Sequence, residues 1–298
     1  MKTKLAVVTL WAVTMIWGCG FVLSDIALRS LNPAQFMFLR FLIATAVMGL
    51  FNLKKLRHIT PKEWRYGLTL GVILFLSFYL QTAGLKYTTP SKNAFLTALY
   101  VVFVPFFAFL IERRRIGKLK IVCALMAVTG SGVMSLTSDF HLGVGDSLTV
   151  ACAVAFALQI YLTDLYVRSV RVEVLVFLQM AVTMCCSFLF ALPTGIALPA
   201  DGIGVVAVLA SGIFATSLCY FMQTWSQQYV GETTSAIILS LESIFGMLFS
   251  VWLVHEPVTP RMVAGGAIIM AAVFLSVLRP TKVSTCVQTP ENAPCHRE

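Results

Sequence analysis

The chain has 298 residues, of which 58% are hydrophobic and 12% charged, and carries a formal net charge of +9. Soluble domains run at about 45–50% apolar and about 25% charged residues, so a globule with this few ionisable groups has no means of covering itself in water. Successive apolar stretches, each long enough at about 1.5 Å per residue to cross a hydrocarbon core about 30 Å thick, exclude a soluble enzyme, a disordered chain and a secreted disulfide-stapled domain.

The pattern predicts an all-α membrane protein of ten transmembrane helices, at about 5–28, 34–53, 64–85, 92–111, 119–136, 147–167, 172–192, 203–229, 233–254 and 262–278. Strands of a membrane barrel would alternate over ~10 residues, which these segments do not. Lys2 and Lys4 before the first run, and Ile16-Trp17-Gly18-Cys19 within it, bear a faint likeness to a cleaved leader. Trp17 suits no such cleavage site and nine further spans follow, so this run reads as the first span. The separators are short and carry turn formers or charge: Asn32-Pro33, Thr60-Pro61, Thr89-Pro90, Gly143 to Asp146, Pro199 to Gly202, Pro257 and Pro260. Loops this short make neighbouring helices antiparallel.

Lys and Arg gather in alternate loops. Seventeen of the 22 lie at the start, after spans two, four and six, and in the tail; the other side has only Arg29, Lys86, Lys92 and Arg261, while Arg40 lies within a span. The positive-inside rule then places both termini in the cytoplasm of a bacterial-type inner (plasma) membrane. The net charge is a topology signal with attraction to anionic lipid beside it, and it predicts no nucleic-acid binding.

Sliding the chain along itself until Gln81 meets Gln223 aligns spans three to five with spans eight to ten without a gap. The same register pairs Thr82 with Thr224, Tyr87 with Tyr229 and Leu136 with Leu278. A neighbouring register pairs Asp25 with Asp164 and Arg40 with Gln179 in the helices before them. The chain therefore divides into repeats at 1–137 and 138–280, with a cytoplasmic and disordered tail at 281–298. Five spans per repeat is odd, so the second copy enters the membrane inverted. Inverted repeats supply two nearly equivalent end states around a midplane site, which is what a transporter needs.

Arg40 and Glu242 are the charged residues deepest in the spans. A charge at the bilayer centre costs about 2.5–3.5 kcal/mol on insertion scales, so each should face protein, water or a partner. Glu242 is either a proton or substrate-cation site or a helix-packing carboxylate held by Ser240 and Ser243. Arg40 is either a site residue or an anchor near its helix end, and an Arg40–Glu242 pair stays open. Gln81, Gln159, Gln179 and Gln223 either line a cavity or bridge helices, and Asn93 and Lys92 stand near an outer mouth. Trp17, in Trp17-Gly18-Cys19-Gly20-Phe21, either lines a cavity or packs; Tyr79, Tyr100, Tyr161 and Tyr220 share that ambiguity. Trp11, Trp64 and Trp252 suit interfacial belts. Gly67 and Gly71, Gly130-Ser131-Gly132, Ser211-Gly212 and Gly265-Gly266 mark close helix contacts, and Pro105 a hinge or bend. The substrate-cavity candidates are Trp17, Arg40, Tyr79, Gln81, Asn93, Tyr100, Gln159, Gln223 and Glu242, with Glu242 the candidate for proton or cation coupling.

The eight cysteines form no CxxC, and His58, His141, His255 and His296 have no metal-ligand spacing. No HExxH, Walker A or GxSxG sequence occurs. No cofactor, metal, ATP drive or catalysis is expected; the partners are a small-molecule substrate and membrane lipid.

Trp17-Gly18, Arg40-Phe41-Leu42, the run from Ala94 to Val102 leading to Pro105, Leu241-Glu242-Ser243 and His255-Glu256-Pro257-Val258-Thr259-Pro260 together resemble the EamA-type pattern of the drug/metabolite transporter superfamily. The resemblance covers about 5–278. It departs at Ser243, where the family often has proline, and at Arg114, where the first half often has the glutamate that the second keeps as Glu256. The resemblance implies a metabolite carrier with a central cavity, often an exporter of amino acids or related compounds, by uniport or proton coupling. An importer of a small organic cation or sugar-like solute is the alternative. A non-transporting scaffold or receptor would instead have a tightly packed centre.

Overall fold

The structure is a computed structural model that describes residues 1–113, 117–135, 143–255 and 257–278. Arg114, His141, Glu256, Leu136 and the tail at 281–298 lie outside the described residues. Eight helices are long and apolar enough to cross a membrane: α1 (Lys2–Leu28), α2 (Pro33–Leu56), α3 (Pro61–Leu85), α4 (Pro90–Glu112), α6 (Val144–Val167), α7 (Val172–Thr194), α8 (Gly202–Gln227) and α9 (Glu232–Leu253). Between and after them run α5 (Lys118–Ser135) and α10 (Pro260–Leu278), the latter with a shorter apolar stretch over Pro260–Ser276. No strand occurs among the described residues.

The separators act as caps. Asn32 Oδ1 accepts from the Gln35 amide while Gln35 Oε1 accepts from the Asn32 amide, with Pro33 as first helical residue. Thr60 and Glu63 form the same reciprocal pair before α3, and Thr89 caps α4 ahead of Pro90. Asp201 accepts from the Gly204 amide at the start of α8. Such caps satisfy amides that the first turn leaves without partners, and so settle where each helix begins.

Two helices are broken at matching places. α4 consists of Pro90–Thr97 and Tyr100–Glu112, and α9 of Glu232–Leu239 and Glu242–Val254, the same positions in the register that sets Gln81 on Gln223. Around each break the amides reach three residues back: Val101 to the Ala98 carbonyl, Val102 to Leu99, Leu241 to Ile238, Ser243 to Ser240. Pro105 is not the cause, because it lies beyond the break in α4 and α9 breaks without a proline. Both helices end on a left-handed residue, Arg113 (φ 52) and His255 (φ 59), again equivalent in that register. An i,i+4 ion pair recurs too: Asp25–Arg29 at 3.6 Å and Asp164–Arg168 at 3.0 Å, matched in the register of the earlier helices.

Packing follows the same exchange. α1 lies against α8 and α9 as α6 lies against α3 and α4; α2 pairs with α7, and α5 with α10. Small residues make these contacts close, as expected where lipid supplies no hydrophobic drive between helices. A Cβ on Gly18 would sit 2.4 Å from Phe245 Cβ, one on Gly71 2.5 Å from Val182 Cβ, and one on Gly130 2.7 Å from the Gly265 carbonyl. α8 carries a π-helical segment, Ser211–Leu218, that the sequence pattern does not announce.

Candidate functional site

Seven helices converge on a cavity lined by Trp17, Gly20, Phe21 and Ser24 (α1), Arg40 (α2), Phe78 and Gln81 (α3), Thr97 and Tyr100 (α4), Phe156, Gln159 and Ile160 (α6), Tyr220 and Gln223 (α8), and Glu242 (α9). Twelve of these fall into six pairs of repeat equivalents. In the register of Asp25 on Asp164 they are Trp17 and Phe156, Gly20 and Gln159, and Phe21 and Ile160. In the register of Gln81 on Gln223 they are Phe78 and Tyr220, Gln81 and Gln223 themselves, and Tyr100 and Glu242. Ser24, Arg40 and Thr97 are lining residues whose counterparts, Thr163, Gln179 and Leu239, are not on the wall.

The π segment of α8 holds two of the site residues' partners. Its wider turns leave main-chain acceptors available to neighbours. Trp17 Nε1 donates to the Ala215 carbonyl at 2.7 Å, and the indole lies 5.3 Å from the Tyr220 ring. Arg40 Nε donates to Thr216 Oγ1 at 2.5 Å, and that hydroxyl donates to the Ser211 carbonyl at 2.8 Å. The guanidinium sits 4.5 Å from the Phe78 ring centroid and 5.9 Å from that of Phe36, so ring faces stabilise a cation taken out of water. Arg40 is 5% exposed and Glu242 3%. Among the described residues no ion pair joins them.

The helix breaks position the opposite end. Tyr100 and Glu242 are the first residues after the two breaks, and the Tyr100 hydroxyl lies beside the Glu242 carboxyl. A carboxylate in the first turn of a helical segment sits at the positive end of its dipole, a favourable position for negative charge. Tyr100 Oη, Gln159 Oε1, Gln223 Oε1 and Glu242 Oε1 are buried without a hydrogen-bond partner of normal geometry. Around them Gln81 Nε2 donates to Thr97 Oγ1 at 3.1 Å, and Gln223 Nε2 to Gln227 Oε1 at 3.3 Å. The cavity wall thus holds a buried hydroxyl and three acceptor oxygens as well as a cation.

Of the nine cavity candidates, the structure puts Trp17, Arg40, Gln81, Tyr100, Gln159, Gln223 and Glu242 on one wall. Tyr79 is turned away and packs on Phe75 and Phe190, at 5.7 and 5.4 Å between ring centroids. Asn93 is fully buried outside the cavity, its Nδ2 donating to the Gln81 carbonyl at 3.2 Å and to Thr149 Oγ1 at 2.9 Å. Lys92 is paired with Asp146 at 2.7 Å. Sequence reasoning missed Phe78 and left Tyr220 undecided. The available signal was helical spacing: Phe78 lies three residues before Gln81, and Tyr220 three before Gln223, on the same face.

Apolar helices with ionisable and amide groups gathered among them make this an integral, multi-pass membrane protein. Residues 4–136 and 143–278 each match the EamA-like transporter family. The chain belongs to that family and is a membrane transporter. It is 33% identical over 267 residues to a protein of Archaeoglobus fulgidus named "Uncharacterized transporter", covering 90% of this chain and 84% of that one. It is 25% identical over 296 residues to "Uncharacterized transporter YetK" of Bacillus subtilis, covering 92% and 87%. A solved crystal structure superposes with a TM-score of 0.77 at 18% identity, covering 92% of this chain and 97% of that one, a likeness of fold alone.

Proposed function

We propose that the protein is a secondary carrier that exports amino acids or related amphoteric metabolites by alternating access. The observation that carries this reading is the buried cavity whose wall holds both Arg40 and the unpartnered acceptors around Glu242. Arg40 holds the substrate carboxylate, and Glu242, with Gln159 and Gln223, receives the ammonium group or a coupling proton. Phe21, Phe78, Phe156 and Tyr220 enclose the rest of the substrate. The outward direction rests on the family resemblance.

In this reading α5 and α10 also cross the bilayer, giving ten passes in two inverted repeats. The matching breaks, left-handed caps, ion pairs and helix contacts support the repeat. Both termini are cytoplasmic, so the start of α3 faces the cytoplasm and the start of α4 faces outside. Lipid covers the outward apolar side chains, Phe51, Leu110, Val206 and Trp252 among them. Aromatic walls beside a carboxylate also favour a second reading, a small organic cation as substrate.

The test is flux through purified protein in liposomes, offered amino acids, organic cations and sugars, with and without a pH gradient. The proposal expects saturable movement of amino acids that a pH gradient drives or leaves unchanged, and loss of that movement in Arg40→Gln. Flux of cations alone, untouched by Arg40→Gln, assigns the second reading.

A further inference from the structure

Ser24 and Arg40 line the cavity, whereas their counterparts in the second repeat, Thr163 and Gln179, are off its wall and form a buried cluster around Gln159, itself a lining residue. Gln159 Nε2 donates to Thr163 Oγ1 at 3.1 Å and to Gln179 Oε1 at 3.4 Å. Gln179 and Thr163 are fully buried and Gln159 is 1% exposed, yet Gln159 Oε1 and Gln179 Nε2 have no partner. Exchanging oxygen and nitrogen on both amides leaves one acceptor and one donor unpaired all the same. A buried orphan amide is costly, about 1–3 kcal/mol for each group, and a pure packing role would be served as well by apolar side chains. The same stretch of α6 is held to its neighbours by further contacts. Tyr66 stacks on Tyr166 at 3.9 Å, Gln227 Nε2 donates to the Ile160 carbonyl at 2.9 Å, and Gln228 Nε2 to the Val167 carbonyl at 3.3 Å.

We infer that Gln159, Thr163 and Gln179 form a second substrate subsite, the cytoplasm-facing equivalent of the Gly20, Ser24 and Arg40 wall, closed in this conformation and exposed in the opposite one. The inference rests on the carrier reading above. When the repeats exchange roles, the six paired positions keep the cavity, Ser24 and Arg40 withdraw, and Thr163 and Gln179 take their places. The chemistry differs between the two faces. On the outer side a fixed cation meets the carboxylate; on the inner side one amide N–H and one amide oxygen meet a head group that offers an acceptor and a donor together. The inner subsite therefore takes dipolar or amide-like groups and holds a lone carboxylate less firmly than Arg40 does.

The test uses the full-length protein in right-side-out and inverted membrane vesicles, with a membrane-impermeant methanethiosulfonate as probe. Gln179→Cys and, as a second variant, Thr163→Cys should react from the cytoplasmic side above the background of the native cysteines, and transported amino acid should slow that reaction severalfold. Ser24→Cys should react from the outer side. A variant that still carries flux but reacts from neither side, or only from outside, overturns the subsite. Absence of flux in the wild-type protein would instead overturn the carrier reading, and the labelling pattern would still report whether the cluster opens. Gln179→Leu separates binding from packing: about a tenfold rise in KM for substrate offered at the cytoplasmic face follows from losing one hydrogen bond. An unchanged KM on that face overturns the subsite.

Discussion

Glu242 has the smallest number of roles open to it. Its carboxyl lies within the candidate span α9, 3% exposed, beside the Tyr100 hydroxyl but with Oε1 lacking a partner of normal geometry and no ion pair to it among the described residues. An isolated carboxylate there is poorly solvated, and a substrate ammonium or a proton relieves the penalty. Glu242→Gln keeps the shape and removes the charge. Proton-linked flux in proteoliposomes should fall to the protein-free level, while the variant keeps wild-type thermal stability; proton-linked flux at the wild-type rate would remove Glu242 from coupling. Trp17 supports a sharper comparison. Its indole N–H ties α1 to the π segment of α8, and its ring covers Tyr220. Trp17→Ala removes a half-buried aromatic face worth about 0.5–1.5 kcal/mol beyond its area, so substrate KM should rise several-fold. Trp17→Phe keeps an aromatic face but loses the pyrrole part of the indole and its tie to Ala215, so its KM should lie between the two. Equal KM values across all three proteins would assign Trp17 to packing. The sequence showed that Trp17, Arg40 and Glu242 stand out by type, yet it did not show which way Tyr79 faces. In a helix apolar on every side, the periodic signal that separates inside from outside is weak, and one residue's rotation of about 100° separates Phe78 from Tyr79.

At the scale of elements, the register of the repeat was the most legible feature and the helix irregularities the least. The alignment that pairs Gln81 with Gln223 also pairs the breaks in α4 and α9 and their left-handed ends. Asn32-Pro33, Thr60-Pro61 and Thr89-Pro90 were readable as separators because turn-forming residues act locally, although their role as helix caps was not read from them. The breaks themselves were not, because Pro105 drew attention to the wrong turn and nothing like it occurs in α9. The π segment was equally hidden: an inserted turn changes hydrogen-bond partners without changing hydropathy. Gly18 shows what the close contacts demand. Its missing Cβ lets α1 lie directly against the Phe245 backbone, beside the residues that shape the site. Gly18→Leu forces α1 from α9, and overpacking of this kind costs about 1–3 kcal/mol. The variant should lose thermal stability in detergent and lose flux, whereas Gly117→Ala, with nothing among the described residues within 4 Å of its Cβ, should change neither. Wild-type stability in Gly18→Leu would show that the two helices separate without loss.

Across the whole molecule, two ion-pair clusters bridge the halves at opposite ends. At one end the Arg171 guanidinium takes both Glu63 oxygens, at 2.7 and 2.8 Å, and also donates to the carbonyls of Lys55 and His58. Lys55 pairs with Glu173 beside it at 2.5 Å. At the other end Lys92 pairs with Asp146 at 2.7 Å, next to the place where Gly84 and Gly145 let α3 and α6 touch. In the proposed orientation the first cluster closes the cytoplasmic side and the second the external side, so alternating access breaks them in turn. Each pair has a partly exposed member, Arg171 at 40% and Lys92 at 34%, which limits either interaction to about 1 kcal/mol. A free energy of that size shifts a two-state equilibrium roughly fivefold. Arg171→Ala should therefore raise cytoplasmic accessibility of a cysteine at position 179 by about that factor, and Lys92→Ala should lower it while raising accessibility at position 24. The exchange pair Glu63→Arg with Arg171→Glu should restore the original ratio. If both single variants move the ratio the same way, the two clusters are fasteners of one rigid bundle, and the halves do not exchange roles about the cavity.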